Sequence, residues 1–225
     1  MMNFPILSLI IFLPLLGSFF VFFSRTKNDI GAIYISILTT FVNLLLCIFL
    51  WWSFDNNFQG FQFIEEKNWI SGYIKFKLGI DGISILFIVL TSLIAPICVI
   101  SCINSVKVRL KEFLIAILVL ETFMIGVFCS LDLVIFYLFF EAGLIPMFLI
   151  IGIWGGPRRV YSAYKFFLFT LLGSVLMLVA IISIYTLTGT TDLLQIYEIK
   201  IPKEYQNLLW LAFFSSFAVK TPMWP

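Results

Sequence analysis

Three ionisable residues, Glu121, Glu141 and Lys220, fall inside long apolar runs of this chain. At about 1.5 Å per helical residue, Glu141 lies roughly 15 Å beyond Leu131, near the centre of a ~30 Å hydrocarbon layer. A charge at that depth costs at least ~2.5 kcal/mol, so it requires a partner, a proton or water. Lys220 lies about 18 Å beyond Leu208, too deep for its stem to reach the interface with ease. Such groups suit one kind of chemistry. Burial favours the neutral amine and the neutral acid, whereas bringing the two together favours both charges. A Glu–Lys pair that can separate is therefore a proton switch. The bland alternatives are a neutral glutamic acid that only glues helices together, and a lysine at the true end of a short helix.

The backbone near these residues carries its own signals. Pro146 removes the bond to the Ala142 carbonyl, loosening the helix just past Glu141. Pro222 biases Thr221 away from helical geometry and frees the carbonyl of Ala218. A helix interrupted beside a buried ammonium is the pattern of a discontinuous transporter helix. The apolar runs that hold Glu121 and Glu141 are joined near Ser130-Leu131 by almost nothing, so they form a tight antiparallel hairpin. Glu121 is ten residues before Leu131 and Glu141 ten after, which puts both at a similar depth. If they face the same way, repulsion and desolvation favour the neutral form of one. If they face apart, each serves a different neighbour. The spacing leaves both open.

Composition supplies the solvent. The 225 residues are 62% hydrophobic and 12% charged, with 27 phenylalanines, and the mean hydropathy is +1.10. A soluble chain carries about 25% charge, so this is an all-α polytopic membrane protein. Its partners therefore include the lipid bilayer. The net charge of +2 is scattered over short loops and does not point to nucleic acid. Histidine is absent, which removes the commonest zinc ligand and the usual proton shuttle at neutral pH. Cys47, Cys98, Cys102 and Cys129 form no CxxC pair and read as small apolar fillers. No nucleophile–base pair, Gly-rich phosphate loop or metal cluster favours catalysis on a soluble substrate.

About seven transmembrane helices must position these groups. The runs are Phe4 to Phe23, Ile30 to Trp52, Ile80 to Asn104, Phe113 to Cys129, Leu131 to Trp154, Lys165 to Leu187, and a seventh opening at Leu208. The first has no basic head and reads as a retained span. The polar loop 53–79 ends in an alternation, Tyr73 to Leu78, that fits a short strand or an interfacial loop. Asp81 at the mouth of the third span reads as a helix-start acid. Thr39, Thr40, Thr170 and Ser174 are expected to bond within the helical bundle. The first, third and fifth loops carry Arg25, Lys27, Lys107, Arg109, Lys111, Arg158, Arg159 and Lys165. The others carry Lys67, Lys75, Lys77, Lys200 and Lys203 over longer segments. The positive-inside rule then places the N-terminus outside and the odd loops inside.

The motifs Tyr137-Leu-Phe-Phe-Glu141-Ala-Gly-Leu-Ile-Pro146-Met, Ile153-Trp-Gly-Gly-Pro-Arg158-Arg and Tyr164-Lys-Phe-Phe-Leu-Phe-Thr-Leu-Leu-Gly-Ser174 carry a resemblance. So do Leu78-Gly-Ile-Asp81-Gly-Ile-Ser84, Glu121-Thr-Phe-Met-Ile-Gly-Val-Phe and Ala212-Phe-Phe-Ser-Ser-Phe-Ala-Val-Lys220-Thr-Pro-Met. Together they resemble chain M, or chain 4, of the proton-pumping NADH–quinone oxidoreductases, respiratory complex I. The resemblance covers the chain from about Leu78 to its last residue. It implies an antiporter-like subunit of the membrane arm with a discontinuous seventh helix, in a bacterial cell membrane or the mitochondrial inner membrane. Glu141 and Lys220 would be its proton-transferring pair and Glu121 its fourth-helix acid.

The resemblance also implies that this chain binds no cofactor, and that NADH, FMN, iron–sulfur clusters and quinone sit in partner subunits. Residues 1–104 would form three N-terminal helices with the polar loop. Residues 105–225 would form the first transport unit, helices four to seven, truncated at its C-terminal end. The family continues past Pro225 with a second, inverted copy of that unit, so the sequence is expected to be a fragment or a truncated gene product. Two other readings remain: a subunit of a multi-subunit cation/proton antiporter, and a truncated interaction subunit that moves no protons.

Overall fold

The computed structural model describes residues 5–24, 29–70, 74–221 and 223. Phe4, Arg25, Lys27, Tyr73, Pro222 and Pro225, which figured in the expectations above, lie outside the described residues. Among those described, six helical stretches are long and apolar enough to cross a membrane. They are α1 (Ile6–Phe23), α2 (Ile30–Trp52), α3 (Ser84–Ser105), α4 (Leu110–Cys129), the pair α5 (Leu133–Ala142) with α6 (Leu144–Trp154), and α7 (Arg159–Thr188). A short α8 (Leu193–Glu198) precedes α9 (Lys203–Lys220). The 18-residue α9 occupies the place of the expected seventh span and is more polar than the six, with Lys203 and Glu204 at its start and Lys220 at its end.

α4 packs against α1, α2, α3, α5 and α6, and α9 lies along α7. Leu7, Ile10, Ile11, Cys47, Leu50, Ile88 and Ile125 fill one end of the α1–α4 bundle. Val21, Ala32, Val99, Leu114 and Leu118 fill the other. Phe140, Met177 and Ile181 form a separate cluster between α5 and α7, with Phe213 of α9 against it. Large apolar side chains such as Phe19, Tyr34, Leu38, Leu168 and Leu172 point outward, the arrangement that lipid permits and water penalises. All four cysteines are free; Cys47, Cys102 and Cys129 are buried and Cys98 is exposed on α3.

Several boundaries differ from those read in the sequence. The polar loop holds an antiparallel hairpin, β1 (Gln62–Ile70) and β2 (Ile74–Ile80), so the alternation ending at Leu78 is a strand. Ile80 pairs with Gln62, and the third span therefore opens at Ser84 and not at Ile80. Asp81 marks that opening, its Oδ1 accepting from the Ser84 and Ile83 amides at 2.7 and 3.2 Å. α4 and α7 begin at Leu110 and Arg159, before the apolar runs, because hydropathy marks where lipid begins and not where helical bonding does. The fifth span is broken at Gly143.

The loops of one face are knitted together. The Glu65 carboxylate of β1 caps α1, accepting from the Leu7 and Ser8 amides at 2.7 and 3.1 Å and from the Ser8 hydroxyl. Lys77 of β2 meets Asp192 of the α7–α8 loop at 2.5 Å. The α4–α5 turn lies between them, with the Leu131 amide on the Lys77 carbonyl and the Leu193 amide on the Leu131 carbonyl, each 2.9 Å. On the opposite face Lys111 donates to the Ser24 carbonyl at 2.7 Å, and Trp154 Nε1 to the Val108 carbonyl at 2.8 Å.

Candidate functional site

Asp132 starts the element that carries Glu141. Its Oδ1 accepts from the Val134 and Ile135 amides at 2.8 and 3.2 Å, and its Oδ2 from the Thr191 hydroxyl at 2.5 Å. α5 then runs to Ala142, where the carbonyl that Pro146 leaves without a donor interrupts the helix. Gly143 keeps right-handed geometry (φ −61°, ψ −19°) and its amide donates to the Phe139 carbonyl at 3.3 Å, so the helical hand is kept across the break. The proline acts one turn before itself, directly beside Glu141.

α9 brings Lys220 to this break. The Lys220 ammonium donates to the Phe140 carbonyl at 2.5 Å and stands 3.2 Å from the centroid of the Phe140 ring. Phe136, Phe140 and Phe217 wall the contact, with ring centroids 5.6 to 6.4 Å apart. Two glycines allow the close approaches. A Cβ at Gly173 of α7 would lie 3.1 Å from Val219, the neighbour of Lys220, and one at Gly126 of α4 would lie 2.5 to 2.7 Å from the Phe139 ring.

Glu141 has both carboxylate oxygens buried and neither has a hydrogen-bond partner. It lies within electrostatic reach of Lys220 and of Tyr137, one turn earlier. No ion pair joins Glu141 to Lys220 among the described residues, because the ammonium is directed at the backbone. Glu121, 3% exposed, turns elsewhere: Asn43 of α2 donates to its Oε1 at 2.8 Å. The two acids thus face apart, and each serves a different neighbour. α9 stops at Lys220, as expected from Pro222, which itself lies outside the described residues.

Thr39, Thr40, Thr170 and Ser174 all donate to carbonyls of their own helices. Sequence reasoning missed Asn43; its one signal was an amide in the middle of an apolar run. It also missed the Lys77–Asp192 pair, which joins residues 115 positions apart that each look like ordinary loop charges. Among the described residues, no group of His, Cys, Asp or Glu is placed to hold a metal. The arrangement juxtaposes a carboxyl group with two buried, unpartnered oxygens, a lysine ammonium, and the carbonyl that holds that ammonium.

Known proteins share this fold. The family model of NADH:quinone oxidoreductase/Mrp antiporter transmembrane segments matches residues 130–225. The solved respiratory complex I of Thermus thermophilus with bound NADH contains a chain that superposes with TM-score 0.83 at 28% identity, over 96% of this chain and 44% of that one. The Mrp complex of Dietzia sp. shows the same fold, with TM-score 0.78 at 14% identity over 96% of this chain and 23% of its counterpart. Fold and buried charges together define a multi-pass membrane protein of the antiporter-like class.

Within that class the sequence separates the branches. NADH-quinone oxidoreductase subunit M of Rhodobacter capsulatus is 49% identical over 98% of this chain, and NADH-ubiquinone oxidoreductase chain 4 of Marchantia polymorpha 48% over 97%. Over nearly its whole length the chain is similar to subunit M/chain 4 proteins, and it spans about half the length of those relatives, 46% and 45%.

Proposed function

We propose that this chain serves in the membrane arm of a proton-pumping NADH–quinone oxidoreductase, beside other antiporter-like subunits. There it moves protons in response to NADH oxidation and quinone reduction. NADH, FMN, iron–sulfur clusters and quinone belong to partner subunits in this reading. The observation that carries it is the Lys220 ammonium on the Phe140 carbonyl beside an unpartnered Glu141. With Lys220 on the carbonyl, Glu141 takes up a proton, since an isolated carboxylate at that depth is costly. When Lys220 swings to Glu141, the ion pair favours both charges and the proton leaves. Glu121 is a second proton-carrying carboxyl on the other side of α4.

The division at residue 104 follows from the same reading: residues 1–104 make the support and 105–225 the transport unit. The loop charges support an N-terminus outside. In the sequence the first, third and fifth loops hold eight Lys and Arg residues, against five lysines in the longer second, fourth and sixth. The 42–49% identity to respiratory subunits favours this assignment over a cation/proton antiporter.

The test uses the full-length counterpart assembled in membrane vesicles. NADH-driven proton uptake with quinone as acceptor is compared for wild type, Glu141→Ala and Lys220→Ala. Loss of uptake in both, with the complex intact, is the expected result. Unchanged uptake would make the two residues structural, and sodium-dependent pH changes without NADH would point to the antiporter reading.

A further inference from the structure

α2 buries Ser36, Thr39, Thr40 and Asn43 toward the bundle. The three hydroxyls donate back to their own helix, to Ala32, Ile35 and Ser36. Asn43 instead reaches across to α4, where Nδ2 donates to Glu121 Oε1 at 2.8 Å. That bond leaves a remainder. Asn43 Oδ1 and Glu121 Oε2 are both buried, and neither has a hydrogen-bond donor. If Glu121 is ionised, both are acceptors, and a buried acceptor without a donor costs about 1–3 kcal/mol.

Among the described residues no cation pairs with Glu121. Residues Ile6–Phe23 of α1 and Leu144–Trp154 of α6 contain no charged side chain. α2 places Cys47 within electrostatic reach of Glu121. α3 places Cys98 and Cys102 along a groove of about 660 Å³ that Glu121 also lines. Glu141 of α5 turns the other way, and Lys77 of β2 is bound to Asp192 at the loop face. One proton on Glu121 Oε2 converts an acceptor into a donor and satisfies Asn43 Oδ1 as well.

We propose that Asn43 is a positioning residue for a proton on Glu121. The pair is a neutral acid–amide couple in which Nδ2–H donates to Oε1, and Oε2–H donates to Oδ1 directly or through one water. This deepens the reading of Glu121 as a proton-carrying group and rests on it. Asn43 then holds the transferable proton on one oxygen, on the α2 side of α4 and away from Lys220.

The experiment is infrared difference spectroscopy at neutral pH on the full-length, assembled complex, wild type against Glu121→Gln, Asn43→Leu and Asn43→Gln. Glu121→Gln, which has the shape of the neutral acid, should remove a protonated-carboxyl C=O stretch. Asn43→Leu should shift that band to the higher frequency of an unbonded carboxyl, and Asn43→Gln should restore part of the shift. Loss of only an ionised-carboxylate band in Glu121→Gln overturns the proposal, and this variant decides even if Asn43→Leu fails to assemble. A band that Asn43→Leu leaves unmoved overturns it too. Proton uptake on the same preparations separates the two ideas. Uptake lost in Glu121→Gln with a band insensitive to Asn43 overturns the couple and leaves the functional reading standing. A responsive band with unchanged uptake supports the couple and removes Glu121 from the transfer path.

Discussion

At the loop face Lys77 and Asp192 meet at 2.5 Å, with side chains 8% and 5% exposed, while in the bilayer interior Glu141 keeps both oxygens free and Lys220 turns to a carbonyl. Each region brings a lysine beside a carboxylate, yet one pair is closed and the other open. The closed pair lies among fixed partners: β2 on one side, the Thr191–Asp132 bond on the other, and backbone bonds through Leu131 and Leu193 between them. Charge there fixes loops. The open pair sits where Pro146 has removed a helical bond, and its lysine has a choice of acceptors. A buried ion pair is weak evidence for stability, but a broken one is strongly destabilising because it strands a charge. The contrast teaches where a charge is held by fixed partners and where it is not.

The largest effect should come from breaking the closed pair. Lys77→Met strands the buried Asp192 carboxylate and should cost about 3–5 kcal/mol, Asp192→Leu leaves Lys77 the Glu66 carboxylate at 3.9 Å and should cost less, and the double variant should recover much of the first loss. Thermal unfolding of the assembled complex in detergent, read as a double-mutant cycle, checks this. Additive losses would show that the two side chains do not act as a pair.

Next comes the contact between α4 and α5. Gly126→Ala pushes a methyl into the Phe139 ring and should cost about 1–3 kcal/mol by overpacking. Phe139→Leu in the same chain should relieve part of it. Because Phe139 lies two residues before Glu141, the single variant should also lower proton uptake without touching a charge. Glu65→Gln at the loop face should cost less, about 0.5–2 kcal/mol, by weakening the cap on α1. It should leave uptake unchanged, and a measured drop in uptake would tie the hairpin to the transport step.

The sequence displayed the open region better than the closed one, for physical reasons. Lipid demands apolar runs of about 20 residues, so the spans were legible and the charges inside them stood out. Glu141, Lys220 and Glu121 could be named, but not their directions, because helical phase across a turn as short as Ser130–Asp132 depends on local capping. Asn43 passed unnoticed because an amide in an apolar run carries no charge signal. At the loop face polar residues are ordinary, so nothing in Lys77 or Asp192 distinguished a buried pair from solvated loop charges. The hairpin was ambiguous because an alternation of five or six residues suits strand and interface alike. The position of the break was legible, since a proline acts on the carbonyl four residues earlier, here that of Ala142.

The smallest effect on stability should come from Glu141→Gln. The glutamate has no hydrogen bond to lose and no ion pair to strand, so the change should cost less than about 1 kcal/mol, the scale of one neutral hydrogen bond. Its effect on function should be the reverse. Glutamine keeps the volume and the dipole but cannot take up a proton, so NADH-driven proton uptake should fall at least ten-fold in an assembled complex. Thermal unfolding and uptake measured on one preparation set the two regions side by side: Lys77→Met should lose stability first, Glu141→Gln function first. If Glu141→Gln instead unfolds as Lys77→Met does, Glu141 is a structural partner like Asp192, and the open pair is open only in this conformation.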